Sequence, residues 1–282
     1  MNRLLILLGV SLLLAACGEG NNAPAPKPDN APPQNAPACG NIEPKLDTAK
    51  AAKLLKQASV KYLAGDKSGA AELLEEALPL DPDNPELLAF TARTMEKLQR
   101  YDLARDLYLR ASKHVEGKAL FNMQTGAAHC SELLAHEQYT AGEYDAAWQS
   151  IQPALEGSAV TRDTQMLHGY IQMQRKEYKD AAEGFEAAVG LSNGEQRYEA
   201  LSWLGQAQYA GKDYQAAIDT FTKLIDQNVE GYEAYGYRAY CEVALENRTA
   251  AESDFRQALQ RTKDSAKQDE YRNALKALEE AK

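Results

Sequence analysis

What most limits the fold of this 282-residue chain is a phrase that returns at a fixed interval. "GKDYQAAIDTFTKL", Gly211 to Leu224, has near copies in "GEYDAAWQSIQPAL" from Gly142 and, more worn, in "ENRTAAESDFRQAL" from Glu246. Aligned on Ala217, one position is alanine six times over: Ala70, Ala104, Ala147, Ala181, Ala217 and Ala251. Seven residues later stand Ala77, Ala111, Ala154, Ala188, Leu224 and Ala258. Between them fall Leu74, Tyr108, Ile151, Phe185, Phe221 and Phe255, and twelve residues before each alanine Ala58, Ala92, Ala135, Gly169, Gly205 and Ala239. Small, small, large and small at fixed offsets is a packing rule, because two antiparallel helices come close only where their contact positions lack bulk. Enlarging Ala251 to Leu is expected to cost about 1–3 kcal/mol from overpacking.

The units begin at residues 51, 85, 128, 162, 198 and 232, spaced 34, 43, 34, 36 and 34 apart. Tyr101, Tyr144, Tyr178 and Tyr214 open the second helix of their units, and "LDPDNP", Leu80 to Pro85, carries the Pro and Asp/Asn signals that end one helix and start the next. Nine extra residues precede the third unit. Leu120, Met123, Ala127, Cys130 and Leu134 keep a three-or-four step through them, which predicts one long helix. After the sixth unit, Tyr271, Ala274, Leu275 and Leu278 share one face of a charged segment, as the closing helix of a repeat array requires.

This pattern resembles the tetratricopeptide repeat (TPR), a helix–turn–helix of 34 residues. The resemblance implies an all-α, right-handed superhelical solenoid with six repeats over residues 51–265 and a capping helix over 266–282. It also implies a concave groove lined by the first helix of each unit. Carried over position by position, its candidates are Tyr62, Phe90, Arg93, Tyr139, Tyr170, Trp203, Tyr209, Tyr237 and Tyr240, with Met166, Met173 and Gln206 among them. Aromatic residues with a polar tip are frequent binding anchors, and about a third of these are expected to pack between repeats instead. The family's carboxylate-clamp pattern is absent, since Leu55, Ser59, Ala89 and Arg93 occupy its Lys and Asn positions.

The first sixteen residues read as an export leader, with Arg3, the apolar run "LLILLGVSLLL" and then "LAAC". "LAAC" resembles the lipobox of bacterial lipoproteins, which implies acylation of Cys17, and Gly18 after it implies delivery to the outer membrane. Residues 17–50 are expected to form a Pro/Asn/Ala-rich tether. A formal charge of −10, made more acidic by loss of the leader, disfavours nucleic-acid partners. It also disfavours a large anionic-lipid face, leaving the lipid anchor as the expected membrane contact. Cys39 and Cys130 can reach one another across a linker of up to ~40 Å, but sequence does not fix the pairing.

Catalytic constellations are poor. His129, Glu132 and His136 could share one helix face and invite a zinc reading, yet no HExxH pattern or Cys pair at finger spacing supports it. Cys241 is expected as a buried small hydrophobe. No cofactor is expected. The expected function is non-enzymatic: a lipid-anchored adaptor binding segments of other cell-envelope proteins, as in TPR pilotins of type IV pilus secretins. Recruitment of peptidoglycan enzymes or outer-membrane assembly factors is one alternative, and a metal-binding or enzymatic role for His129 and His136 another.

Overall fold

The computed structural model describes residues 46–157, 160–227 and 231–280. The leader, Cys17, Cys39 and most of the tether lie outside them. Residues 44–282 form a compact unit of their own. Among the described residues there is no strand. Thirteen α-helices follow in order: α1 (Thr48–Leu63), α2 (Lys67–Ala77), α3 (Pro85–Lys97), α4 (Tyr101–Ser112), α5 (Gly117–Thr140), α6 (Tyr144–Leu155), α7 (Arg162–Gln174), α8 (Tyr178–Gly190), α9 (Gly194–Ala210), α10 (Tyr214–Asp226), α11 (Tyr232–Ala244), α12 (Arg248–Arg261) and α13 (Ser265–Glu280). Each helix packs on its chain neighbours, and α5 also meets α7, as α9 meets α11. That is the arrangement of a TPR solenoid.

The packing rule is visible at every alanine of the register. Ala70, Ala104, Ala147, Ala181, Ala217 and Ala251 are all fully buried, and beside them Leu74, Ile151, Phe185, Phe221 and Phe255 have no exposed surface. At two of the three phenylalanines the partner position is a glycine. A Cβ on Gly169 would come within 2.4 Å of the Phe185 ring, and one on Gly205 within 2.6 Å of Phe221. Real Cβ atoms do not approach that closely, so only glycine fits.

The predicted tyrosines do open α4, α6, α8 and α10. Five residues before the alanine that recurs in all six units the chain turns through the left-handed region, with Gly65 (φ 89), Gln99 (φ 60), Gly142 (φ 81), Lys176 (φ 63), Lys212 (φ 65) and Glu246 (φ 62). Only two of these six are glycine, the residue that enters this region without steric penalty. α1 begins three residues ahead of its unit because Asp47 caps it, accepting a hydrogen bond from Lys50 N at 2.9 Å. α3 starts at Pro85 with Asn84 as cap, receiving Glu86 N and Leu87 N at 3.1 Å.

The insertion is part of α5, one helix of 24 residues. Elsewhere the connections use other devices than the proline of "LDPDNP". Gly117 and Gly194, the first residues of α5 and α9, turn with φ of 57° and 54°, and α9 starts four residues before its unit. At the C-terminal end α13 covers the core around Phe255 with Tyr271 and Ala274. No helix among the described residues is long and apolar enough to cross a membrane.

Candidate protein-binding face

Helices α5, α7, α9 and α11 carry aromatic side chains at nearly equivalent positions, and the solenoid brings these into two groups of ring contacts that share α9. Tyr139 lies 6.4 Å from Tyr170 between ring centroids, and Tyr170 meets Trp203 edge-on at 5.1 Å. Tyr209, two turns along α9, then meets Tyr237 at 5.9 Å and Tyr240 at 6.4 Å. At the other end of the chain Tyr62 and Phe90 form a separate pair, edge-on at 5.4 Å. Arg93 is exposed.

Most of these rings also rest on the phenylalanine of a second helix. Trp203 stacks on Phe185 at 6.0 Å, Tyr237 on Phe221 at 5.4 Å, and Tyr240 meets Phe255 edge-on at 5.0 Å. Packing between helices therefore engages every aromatic candidate rather than about a third of them. The physical reason is the glycine or alanine in each first helix, which lets the phenylalanine rise far enough to touch the ring above. The aromatic side chains nonetheless remain only half-buried, so each has one face on the core and another toward solvent. Met166 departs from the expectation, because it is 3 % exposed and belongs to the core. Its position on α7 turns toward Phe185 and Leu201 instead of outward.

The polar tips are neutral donors. Burial pushes the Tyr170 and Tyr209 phenols up to about 12. Tyr240 is raised further, first by burial and then by its hydrogen bond to Glu270. Tyr170 Oη donates to Glu199 Oε1 at 3.4 Å and Tyr237 Oη to Gln206 Oε1 at 3.3 Å. Among the described residues Trp203 Nε1 has no acceptor. The row thus offers apolar area together with at least one open donor, which suits an extended or helical polypeptide more than a reacting substrate.

The histidine reading finds no cluster. His129 and His136 are exposed on α5, and Glu132 accepts a hydrogen bond from Thr164 Oγ1 at 2.6 Å. Among the described residues no three His, Cys, Asp or Glu side chains are placed to hold a metal. His168 is instead half-buried, stacked on Trp148 at 5.2 Å, and burial holds its pKa below the usual value. Cys130 and Cys241 are free and buried, and desolvation pushes both thiols up to about 12, which disfavours the thiolate. The partner considered for Cys130, Cys39, lies outside the described residues.

The surface of the described residues carries two clefts, one beside the start of these aromatics and one at the N-terminal end. One of about 610 Å³ lies at the α5–α6 and α7–α8 turns, where Arg175 Nε bonds Asp145 Oδ1 at 2.8 Å. Another of about 320 Å³ lies between α1 and the start of α3.

Sequence reasoning missed the bidentate pair of Arg238 and Asp254, at 2.7 and 2.8 Å, with Arg238 Nη1 also donating to Thr222 Oγ1 at 3.0 Å. A signal was present: Asp254 stands where the other units have Leu73, Leu107, Ser150, Gly184 and Thr220. A carboxylate at a position that is otherwise small or apolar calls for a buried partner.

Comparison with known proteins agrees with this architecture. Sequence profiles described as tetratricopeptide repeat match residues 61–125, 133–196 and 199–228. A comparison with curated proteins returns no match. Among solved structures, the Naa15/Naa10 complex bound to HypK-THB is 17% identical over 82% of this chain and 34% of its own, with a TM-score of 0.56. YrrB, described as a TPR protein with an unusual peptide-binding site, is 17% identical over 73% of this chain and 99% of its own, at 0.49. PilF of Pseudomonas aeruginosa is 16% identical over 80% of this chain and 98% of its own, at 0.40. At such identities the likeness concerns the fold alone. Register, helix order and sequence profiles lead to one conclusion: the chain belongs to the tetratricopeptide repeat family.

Proposed function

We propose that this chain is a lipid-anchored, non-catalytic adaptor of the bacterial outer membrane, facing the periplasm and binding segments of other envelope proteins along the first-helix row. The observation that supports this reading most is the run of half-buried aromatics from Tyr139 to Tyr240, which no packing rule of the repeat requires. The best-fitting role is assistance in assembling an envelope complex, such as a type IV pilus secretin. Recruitment of peptidoglycan enzymes or outer-membrane assembly factors would use the same face. The anchor itself would be Cys17, acylated after removal of residues 1–16.

A photo-crosslinking residue in place of Tyr240, introduced in cells, is expected to capture an envelope protein. Trp203→Ala combined with Tyr240→Ala is expected to release that protein while the helical circular-dichroism signal is kept. Retention of every co-purifying partner by the folded double variant would refute the adaptor. Stoichiometric zinc in the purified protein, lost in His129→Ala/His136→Ala, would replace it with a metal-dependent role.

A further inference from the structure

The two ends of the solenoid are finished differently. At the C-terminal end α13 buries Tyr271 and Ala274 and presents mixed charges, with no large exposed apolar side chain. At the N-terminal end α1 has no repeat before it. Ala51, Leu54 and Ala58 face the core, and helical geometry puts Lys53, Lys56, Val60 and Leu63 on the opposite side, with Lys56 at its edge, where it also borders the cleft between α1 and the start of α3. Leu63 is 85 % and Val60 65 % exposed, the largest values among the bulky apolar residues described. The helix contains four lysines and no acidic residue, in a chain of net charge −10. Lys50 is paired with Glu76 and Lys61 with Asp66, but Lys53 and Lys56 form no ion pair among the described residues. The acidic total charge conceals this local excess of positive charge.

We infer that the outward face of α1 is a docking surface for anionic phospholipid headgroups, with Lys53 and Lys56 at the phosphates and Val60 and Leu63 in the interfacial layer. Two observations select this occupant. Lysines beside exposed aliphatic residues on one helix face are the composition of an interfacial helix. The chain also reaches α1 directly from its apolar leader and Cys17, through a segment from Gly18 to Asp47 that spans at most about 100 Å. A second copy is less suited, because two such faces would oppose lysine to lysine and α13 offers only mixed charge. The inference rests on the lipid anchor proposed above. It adds an orientation: α1 lies against the bilayer and the aromatic row of α5 to α11 extends away from it.

The test uses residues 44–282, the compact unit, which lacks both leader and acyl chain. Co-sedimentation with phosphatidylglycerol/phosphatidylethanolamine vesicles is compared with pure phosphatidylcholine vesicles. Binding is expected only to the anionic vesicles, falling as salt rises. Each unpaired lysine is expected to contribute about five-fold in affinity, so Lys53→Gln/Lys56→Gln should lose about 30-fold with an unchanged melting temperature. Val60→Ser/Leu63→Ser should weaken binding further without altering its salt dependence. Equal binding to both vesicle types, no binding, or an unaffected lysine double variant would overturn the proposal. A dimer without vesicles that dissociates in the lysine variant would also overturn it, assigning the face to a second copy. Failure to find acyl chains on Cys17 by mass spectrometry would remove the anchor but leave the vesicle result standing, so the two readings fail separately.

Discussion

The first and last thirds of the solenoid obey one register with different materials. In α1 to α4 the large position holds Leu74 and Tyr108, opposite Ala58 and Ala92. In α7 to α12 it holds Phe185, Phe221 and Phe255, opposite Gly169, Gly205 and Ala239. Two of the three phenylalanines face a glycine that leaves room for the ring, Phe255 packs against Ala239, and each of the three supports an aromatic above it. Thus Tyr62 and Phe90 form an isolated pair, whereas Tyr139, Tyr170 and Trp203 form one chain of ring contacts and Tyr209, Tyr237 and Tyr240 a second. The candidate binding rings and the core packing are coupled in the second region and nearly separate in the first.

The sharpest way to break this contrast is to remove the large residue. Phe221→Ala is expected to cost about 3–5 kcal/mol, and Leu74→Ala about 2–3 kcal/mol, because the leucine leaves the smaller cavity. Denaturant unfolding of both variants checks the order, and Leu74→Ala proving the costlier would sink the argument. Phe221→Ala should also loosen Tyr237, which stacks on that ring.

Next is the small residue. Gly205→Ala is expected to destabilise by about 1–3 kcal/mol despite alanine's better helix propensity, since Phe221 is fully buried and cannot yield. Ala239→Gly in the neighbouring unit should cost only about 1 kcal/mol. Thermal melts of the pair would show whether the fit between phenylalanine and glycine matters locally or merely on average.

A smaller and opposite effect is expected at the turns. Gln99, Lys176, Lys212 and Glu246 hold left-handed backbone with a side chain attached, and three of the four lie in the C-terminal region. Each change to Gly is expected to stabilise by about 0.5–1 kcal/mol, as relief of strain exceeds the added entropy of the unfolded chain. A combined Lys176→Gly/Lys212→Gly/Glu246→Gly protein should melt measurably higher, and a lower melting temperature would contradict the reading.

The smallest effect concerns acid. Burial against Trp148 lowers the pKa of His168, opposed by Asp180 and Glu183. A depressed folded value means that protonation favours the unfolded chain. The contribution is therefore complete above the unfolded value near 6.5 and is lost as pH falls through the folded one. His168→Phe keeps the stack and removes the titration. The melting-temperature difference between wild type and variant should change between about pH 7.5 and about pH 5. A constant difference would assign the acid sensitivity to other groups.

Much of the fold was legible because its rule is local and repeated. Tyr144 and Tyr214 announce helix starts, and the step from Leu120 to Leu134 announces the length of α5. The site was legible only in part. The register told which helix face carries Trp203 and Tyr240, but not that the phenylalanines of the facing helices would rise to touch them. It placed Met166 on that face, where small changes in helix rotation turn it into the core. Arg238 and Asp254 lie 16 residues apart in sequence, and only the approach of α11 to α12 joins them.

The sequence by itself determined the repeat, its register and the helix each residue belongs to, because side-chain volume at fixed spacing leaves two antiparallel helices little choice. Only the tertiary structure decided which surfaces stay open. Exposure is a property of neighbours distant in the chain: Leu63 stays bare because no described helix packs on that side of α1, and Tyr271 is covered because α13 folds back onto Phe255.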